Sequence, residues 1–111
     1  MSRRSQRVED LLRAELADLL LREARDPRLQ QAHVAAISVS PDLSNAQVRI
    51  SVLAEETERL EVIEALNKAS GFFRTRLAKR LKHMRRTPRL SFVLDRGPEH
   101  TQHITDLLET L

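Results

Sequence analysis

The strongest chemical signal in this 111-residue chain is a run of basic side chains between residues 74 and 89. The run holds eight cations and no acidic residue: Arg74, Arg76, Lys79, Arg80, Lys82, Arg85, Arg86 and Arg89. Six of these side chains are arginine, whose planar guanidinium group matches the paired oxygens of a phosphate. The run therefore predicts a surface that binds a polyanion through phosphate contacts.

A solvated helix face is the ordinary explanation for a charged segment. Such a face usually alternates the two signs, because opposite charges four residues apart stabilise a helix. In this run like charges repel one another, which indicates that a partner supplies the counter-charge. Nucleic acid is the favoured partner. The alternatives are an acidic protein, which would make the chain a protein–protein adaptor, and a membrane surface, which is disfavoured because the core needs the apolar residues of the same segment.

Three more arginines, Arg3, Arg4 and Arg7, lie at the start of the first predicted helix. Cations at this end oppose the helix macrodipole, so helix stability does not explain them. A phosphate at the helix N-terminus would be attracted by the arginines and by the dipole together. We predict that they support nucleic-acid binding by the basic run, and a partly disordered basic tail is the alternative.

Catalytic and metal chemistry find little support in the sequence. Gly71 and Gly97 are the only glycines, too few for a phosphate-binding loop, and the absence of cysteine excludes thiolate ligands and nucleophiles. Three phenylalanines, with no tyrosine or tryptophan, do not form a platform that stacks several bases. The spacing of His100, His103 and Asp106 is only weak evidence for a metal site. We predict a protein without catalytic residues, metal, cofactor or small-molecule substrate.

Composition is typical of one soluble domain. The chain has a net charge of +3, and its 41% hydrophobic residues suffice for a single core. Neither a signal peptide nor a run of 18 apolar residues is visible. We expect a cytoplasmic monomer with one domain over residues 1–111, no membrane partner, and greater mobility in residues 1–4 and 97–111.

Hydrophobic periodicity predicts the elements that position the basic run. Apolar residues three and four apart predict a first helix from about Ser5 to just before Asp26. Alternating apolar residues predict strands over residues 35–40 and 46–52, and the turn Pro41–Asn45 joins them into an antiparallel hairpin.

Two further helices and a strand follow the hairpin. A helix capped by Thr57 is followed at Ala69-Ser70-Gly71 by a predicted kink, because glycine costs about 1 kcal/mol in a helix relative to alanine. The next helix continues to Pro88, with Phe73 in the core and the role of neighbouring Phe72 left open. Residues 90–94 form a third strand, and a short C-terminal helix buries Ile104, Leu107, Leu108 and Leu111. The order α-β-β-α-α-β with this final helix predicts a single-domain α+β fold.

Several short segments, in their order along the chain, resemble one known family. They are Arg4–Val8, Asp26–Arg28, Val39–Ala46, Ala69–Gly71 with Phe73 and Arg74, Arg86–Asp95, and the Ile104, Leu107 and Leu108 tail. No segment is specific alone, but the ordered set resembles the bacterial ribosome-binding factor A family over nearly the whole chain. Arg49, where the family often has tyrosine, and the segment Gly97–His100 depart from its pattern, as does the short C-terminus.

The resemblance implies a type II KH-like fold in which Ala69-Ser70-Gly71 is an interhelical kink that replaces the GxxG loop of other KH domains. It implies a ribosome assembly factor rather than an enzyme. Such a factor binds 16S rRNA in the free or immature small (30S) ribosomal subunit late in maturation, supports processing of the 16S rRNA 5′ end, and is associated with growth in the cold.

Overall fold

The computed structural model describes residues 3–97, which form three α-helices, one short 3-10 helix and three β-strands. In chain order these are α1 (Arg3–Arg22), the 3-10 helix (Pro27–Gln31), β1 (Ala32–Val39), β2 (Asn45–Val52), α2 (Glu56–Lys68), α3 (Ser70–Arg80) and β3 (Arg89–Leu94). The predicted α+β class and the order α-β-β-α-α-β are confirmed. The predicted C-terminal helix lies outside the described residues.

One face of the sheet is buried beneath the helices. Along β2 the buried residues alternate with residues that reach the other, open face, as expected for a strand with one side in the core. The helices contribute apolar residues spaced three and four apart, so that each presents a single stripe to the sheet. The fully buried core includes Leu12, Leu16, Leu19, Val48, Ile50, Val62, Leu66, Phe73 and Leu77.

The sheet has the strand order β1-β2-β3, and its two pairings differ in direction. β1 and β2 are antiparallel, which confirms the predicted hairpin. β3 runs parallel to β2, with Asn45 opposite Arg89 and Ile50 opposite Leu94. The backbone N–H of Arg89 also donates to the Ser44 carbonyl at 2.9 Å. The β1–β2 turn is therefore held beside the first residue of β3.

Asp42 organises the β1–β2 turn. One of its carboxylate oxygens accepts hydrogen bonds from the Ser40 hydroxyl (2.8 Å), the Ser44 hydroxyl (2.6 Å) and the Ser44 N–H (3.1 Å). These donors favour the charged form and lower the pKa of Asp42 to about 2. Leu43 has φ +61°, a left-handed conformation that is uncommon for a side chain of this kind. The predicted turn is confirmed.

The bend between α2 and α3 falls at Ala69, the single residue that separates the two helices. Ala69 has φ −93° and ψ 8°, and its N–H still donates to Ala65 and Leu66 of α2. Gly71 already belongs to α3, and a Cβ at Gly71 would meet no atom within 4 Å. The predicted kink is confirmed, although the packing around Gly71 does not itself require a glycine.

Three predicted boundaries were wrong. α3 ends at Arg80 rather than before Pro88, because buried Leu81 leaves the helical conformation and starts a series of turns. α2 begins at Glu56 after Glu55, so Thr57 lies inside the helix. α1 ends earlier than predicted, at Arg22. The chain then forms the unpredicted 3-10 helix, whose first N–H groups are capped by Asp26.

Asn67 of α2 covers the outer edge of β3. Its side-chain amide donates to the Phe92 carbonyl at 2.9 Å, and its oxygen accepts from the Phe92 N–H at 2.8 Å. We expect Asn67→Ala to lower the free energy of unfolding by about 2 kcal/mol, because two partly buried backbone groups lose their partner. Urea unfolding measures this loss. Lys68→Ala is the control, since its exposed pair with Glu64 contributes little, and equal losses would contradict the prediction.

Candidate nucleic-acid interface

The basic run is divided among three elements rather than lying on one helix. α3 contributes four of the cations, the loop over residues 81–88 contributes three, and Arg89 begins β3. Six of the eight have no acidic partner within residues 3–97: Arg74, Lys79, Lys82, Arg85, Arg86 and Arg89. All six are exposed, so their charges face solvent without internal neutralisation.

These cations line a cationic groove, defined by Arg74, Lys82, Arg85, Arg86 and Arg89, which consists of two adjoining cavities. One cavity lies between α3 and the 81–88 loop, and the other lies beside the β1–β2 turn. Arg74 and Arg86 line both cavities, so the two are continuous. No acidic side chain of residues 3–97 lines either one, and Lys79 lies one helical turn after Thr75 at the margin of the groove. The arrangement presents a continuous positive surface.

Arg7 lies near this groove, on its α1 side. It lines a largely apolar cavity with Leu11, His83 and Met84, and the last two belong to the 81–88 loop. A neighbouring cavity places the carboxylate of Asp42 near Arg86, so one acidic group does approach the margin of the surface. The side chains of Arg3 and Arg4 lie outside the described part of the chain. Support from these three arginines stays a prediction.

The expectation that all eight cations project freely outward was wrong for two of them. Arg80 donates to Asp18 and to Glu23, both at 2.7 Å, and to Glu15 at 3.1 Å. Arg76 forms a longer pair with Glu23, at 3.6 Å. Glu15 and Asp18 belong to α1, which packs along α3, and Glu23 directly follows α1. The counter-charge of Arg76 and Arg80 is therefore supplied from within the molecule.

The Arg80 cluster couples folding to acid pH. Hydrogen bonds, first from Arg80 and then from Arg22, hold the pKa of Asp18 below its ordinary value of 3.8. The same contacts raise the pKa of the Arg80 guanidinium. A carboxyl group whose pKa is lowered by folding stabilises the folded state above its unfolded-state pKa, and this stabilisation disappears as pH falls through the folded-state pKa.

We expect Arg80→Ala to lower the midpoint of thermal unfolding by about 5 °C at pH 7, because three carboxylates lose their shared cation. The deficit should shrink as the pH falls below the ordinary aspartate pKa and through the lowered pKa of Asp18, because the protonated carboxyl no longer pairs with Arg80. Thermal unfolding by circular dichroism between pH 7 and pH 3 measures it. Lys68→Ala removes only the exposed pair with Glu64, away from this cluster, and is the control. A deficit that is the same at both pH values would contradict this account.

The two adjacent phenylalanines of α3 have different environments. Phe73 is fully buried, in edge-to-face contact with Phe92 at 5.9 Å between ring centroids, which confirms its predicted place in the core. Phe72 is 40% exposed, and the guanidinium carbon of Arg76 lies 5.1 Å from its ring centroid. Arg76 therefore covers one face of the Phe72 ring, which leaves a single face for contact with a base.

Sequence reasoning missed the uncharged part of the groove. Ser44 and Asn45 line it from the β1–β2 turn, and the Thr87 carbonyl accepts a hydrogen bond from Arg74 Nε at 3.1 Å. The turn itself was predicted, but its position beside Arg89 depends on the parallel pairing of β2 with β3. Alternation along a strand identifies its buried face and not its neighbour, so no local signal could have found these residues.

Within residues 3–97, no three His, Asp or Glu side chains are grouped closely enough to hold a metal ion. His100, His103 and Asp106 lie outside this range. No helix in the same range is long and apolar enough to cross a membrane.

The fold and the groove define a class of protein: a small α+β domain in which a helix, a loop and a strand end present unpaired cations. Comparison with known proteins identifies the family. The family model for ribosome-binding factor A matches residues 4–108. Ribosome-binding factor A of Coxiella burnetii (strain CbuG_Q212) is 45% identical over 109 residues, a match that covers 98% of this chain and 90% of that protein. The chain belongs to the ribosome-binding factor A family, and the resemblance is confirmed.

Solved structures of relatives agree with the fold. The crystal structure of ribosome-binding factor A from Thermus thermophilus has a TM-score of 0.71 at 32% identity, covering 84% of this chain and 98% of that one. A homology model of the Thermus thermophilus ribosome-binding factor A, fitted into an electron cryo-microscopy map of a 30S complex of that protein, has a TM-score of 0.68 at 33% identity, covering 82% of this chain and 94% of that one. The chain thus has the KH-like fold that the resemblance implies.

Proposed function

We propose that this protein is a ribosome assembly factor that binds the small (30S) ribosomal subunit during late maturation and supports processing of the 16S rRNA 5′ end. The observation that supports this most directly is the cationic groove, whose five cations have no acidic partner among the described residues. Family membership and the 30S complex of the Thermus thermophilus relative favour the ribosome as the source of the negative charge.

The proposed mechanism is recognition of RNA shape. The groove is built from α3, the 81–88 loop and β3, all of which are packed on one sheet, so the spacing of its cations is fixed by the fold. Phosphate contacts fix position and orientation without reading bases, and the groove has no aromatic lining for base stacking. A rigid set of charges of this kind stabilises one arrangement of RNA helices over others.

The kink is proposed to bring RNA close to the backbone of α3. Gly71 is exposed, and no atom lies within 4 Å of the position of its absent Cβ. Ser70, the first residue of α3, offers a hydroxyl beside it. Since the fold does not need a glycine at position 71, close approach of a partner remains a reason for the small residue.

We propose that the protein acts as a monomer through binding alone, without catalysis or a cofactor. Its partners would be 16S rRNA and the free or immature 30S subunit, which places its work in the cytoplasm. Its family suggests that this work matters most in the cold, when misfolded RNA arrangements are slow to escape.

Co-sedimentation with immature small subunits tests the proposal. We expect Arg85→Glu combined with Arg86→Glu to abolish association, because two phosphate contacts become repulsive. The matched control is Arg13→Glu with Arg25→Glu, which reverses two exposed charges that have no acidic partner among the described residues and do not line the groove. Circular dichroism checks that both variants fold. Equal association by both double variants would overturn the proposal. A complex that stays intact after ribonuclease treatment would also overturn it, because the partner would then be a protein.

A further inference from the structure

One end of the cationic groove has the composition of an anion pocket. Three guanidinium groups line it, from Arg74 of α3, Arg86 of the loop and Arg89 of β3. The remaining lining residues are uncharged: Ser44 ends the β1–β2 turn and Asn45 begins β2. This tri-arginine pocket therefore concentrates three positive charges around one cavity, beside the uncharged residues Ser44 and Asn45.

The Arg74 side chain and the backbone of Arg89 are held in place before any ligand binds. Arg74 Nε donates to the Thr87 carbonyl at 3.1 Å, which fixes the plane of the guanidinium group and leaves its two terminal nitrogens without a partner among the described residues. The hydrogen bond from Arg89 N–H to Ser44 O, at 2.9 Å, joins the strand wall to the turn wall. Groups held in place lose little conformational entropy on binding.

The turn wall is held equally firmly. Asn45 donates through its side-chain amide to the Ser44 hydroxyl at 3.0 Å, and that hydroxyl donates to Asp42 at 2.6 Å. The left-handed backbone of Leu43 precedes these residues directly. Strained backbone persists where surrounding contacts enforce it, and such positions are concentrated at binding sites.

We propose that the tri-arginine pocket is a site for one phosphate group of the RNA backbone. This inference rests on the proposed function and adds to it a defined position for a single phosphate. Three unpaired guanidinium groups at one cavity repel one another, and an anion between them removes that repulsion while accepting their paired donors. The pocket has no aromatic or apolar lining side chain that would select a base.

The site differs in kind from the rest of the groove. Lys82 and Arg85 flank a cavity in which α3 and the loop supply all the lining residues. The tri-arginine pocket instead joins α3, the loop, β3 and the β1–β2 turn. A phosphate bound there contacts elements that are distant in the sequence, so it should act as a fixed point while the other cations make adaptable contacts.

Nuclear magnetic resonance of the full chain tests the site with inorganic phosphate as the probe. Against sodium chloride of matched ionic strength, we expect saturable shifts at the Ser44 and Asn45 amides and at the side-chain Nε groups of the three arginines. An RNA oligomer without terminal phosphates should displace the inorganic phosphate. Shifts that rise without saturation, or that are equally large at Lys79, would overturn the proposal. Saturable shifts with phosphate that the oligomer does not reverse would also overturn the proposal, because they indicate a site for the free ion rather than for RNA.

Charge-preserving variants distinguish phosphate binding in the tri-arginine pocket from nonspecific electrostatic attraction. Arg74→Lys, Arg86→Lys and Arg89→Lys together keep the charge but remove the paired donors. We expect this triple variant to lose phosphate saturation and to bind immature subunits about tenfold more weakly. Arg85→Lys, elsewhere in the groove, is the control and should bind normally. Unchanged phosphate binding by the triple variant would overturn the pocket.

The failures of the two proposals are distinguishable. If Arg85→Glu with Arg86→Glu abolishes subunit association but phosphate never saturates the wild-type chain, the proposed function stands and the pocket is wrong. If that double variant associates normally, the proposed function is wrong whatever the phosphate titration gives.

Discussion

The affinity of this protein for free RNA should fall roughly 300- to 1,000-fold when monovalent salt rises from about 50 to about 200 mM. Six cations have no acidic partner among the described residues, and each phosphate contact adds about 0.7 to 0.9 to the slope of log affinity against log salt. Six contacts give a slope of about −4 to −5. Fluorescence anisotropy with a labelled RNA at several salt concentrations measures it.

Single substitutions to glutamine measure how much each side chain contributes to the slope of log affinity against log salt. Arg86→Gln should make it shallower by about 0.7 to 0.9, because one phosphate contact is lost. Arg13→Gln, which removes an exposed charge outside the groove, should leave the slope unchanged. A slope shallower than about −2 for the wild-type chain would remove the electrostatic basis of the proposal. An equal effect of the two variants would show that net charge, rather than the groove, drives binding.

The second large effect concerns folding, where Phe73→Ala should cost about 3 to 5 kcal/mol. Phe73 is fully buried at the start of α3, and its ring makes edge-to-face contacts with Phe92 of β3 and with Phe72. Removing it leaves a cavity between the helix after the kink and the strand that begins with Arg89. The loss appears as a lower midpoint in urea or thermal unfolding, with little change in the urea m-value.

The neighbouring residue provides the matched control. Phe72→Ala removes the same side chain from the same helix, but Phe72 is 40% exposed and its ring has one face against Arg76. Its loss should cost about 1 kcal/mol or less. Similar costs for the two substitutions would contradict the assignment of Phe73 to the core and of Phe72 to the surface.

Much of the fold could be predicted from the sequence because its signals are local. The apolar stripe of α1, the alternation along β1 and β2 and the turn at Asp42 each depend on residues a few positions apart. The end of α3 could not be predicted in this way. Pro88 is a strong stop signal, but the helix ends at Arg80 because Leu81 is buried and the chain must turn to reach β3.

The candidate site was predictable in composition and not in arrangement. The basic run indicated which residues carry the charge, and six of its eight members have no acidic partner among the described residues. Nothing local indicated that Arg80 would meet Glu15, Asp18 and Glu23, since those contacts depend on how α1 packs along α3. The helical periodicity of the sequence also predicted that Lys82, Arg85 and Arg86 belong to α3, whereas they lie on the loop that follows it.

The parallel pairing of β2 with β3 has a consequence for the protein during its own synthesis. The sheet lacks its third strand until residues 89–94 have left the translating ribosome, because both helices after β2 are made first. Until then Asn45 contacts the end of β1 but has no β3 on its other side, and Arg89 has not yet been added. Contacts so distant in sequence form late in folding. A partly made copy therefore lacks the complete cationic groove until β3 has been made.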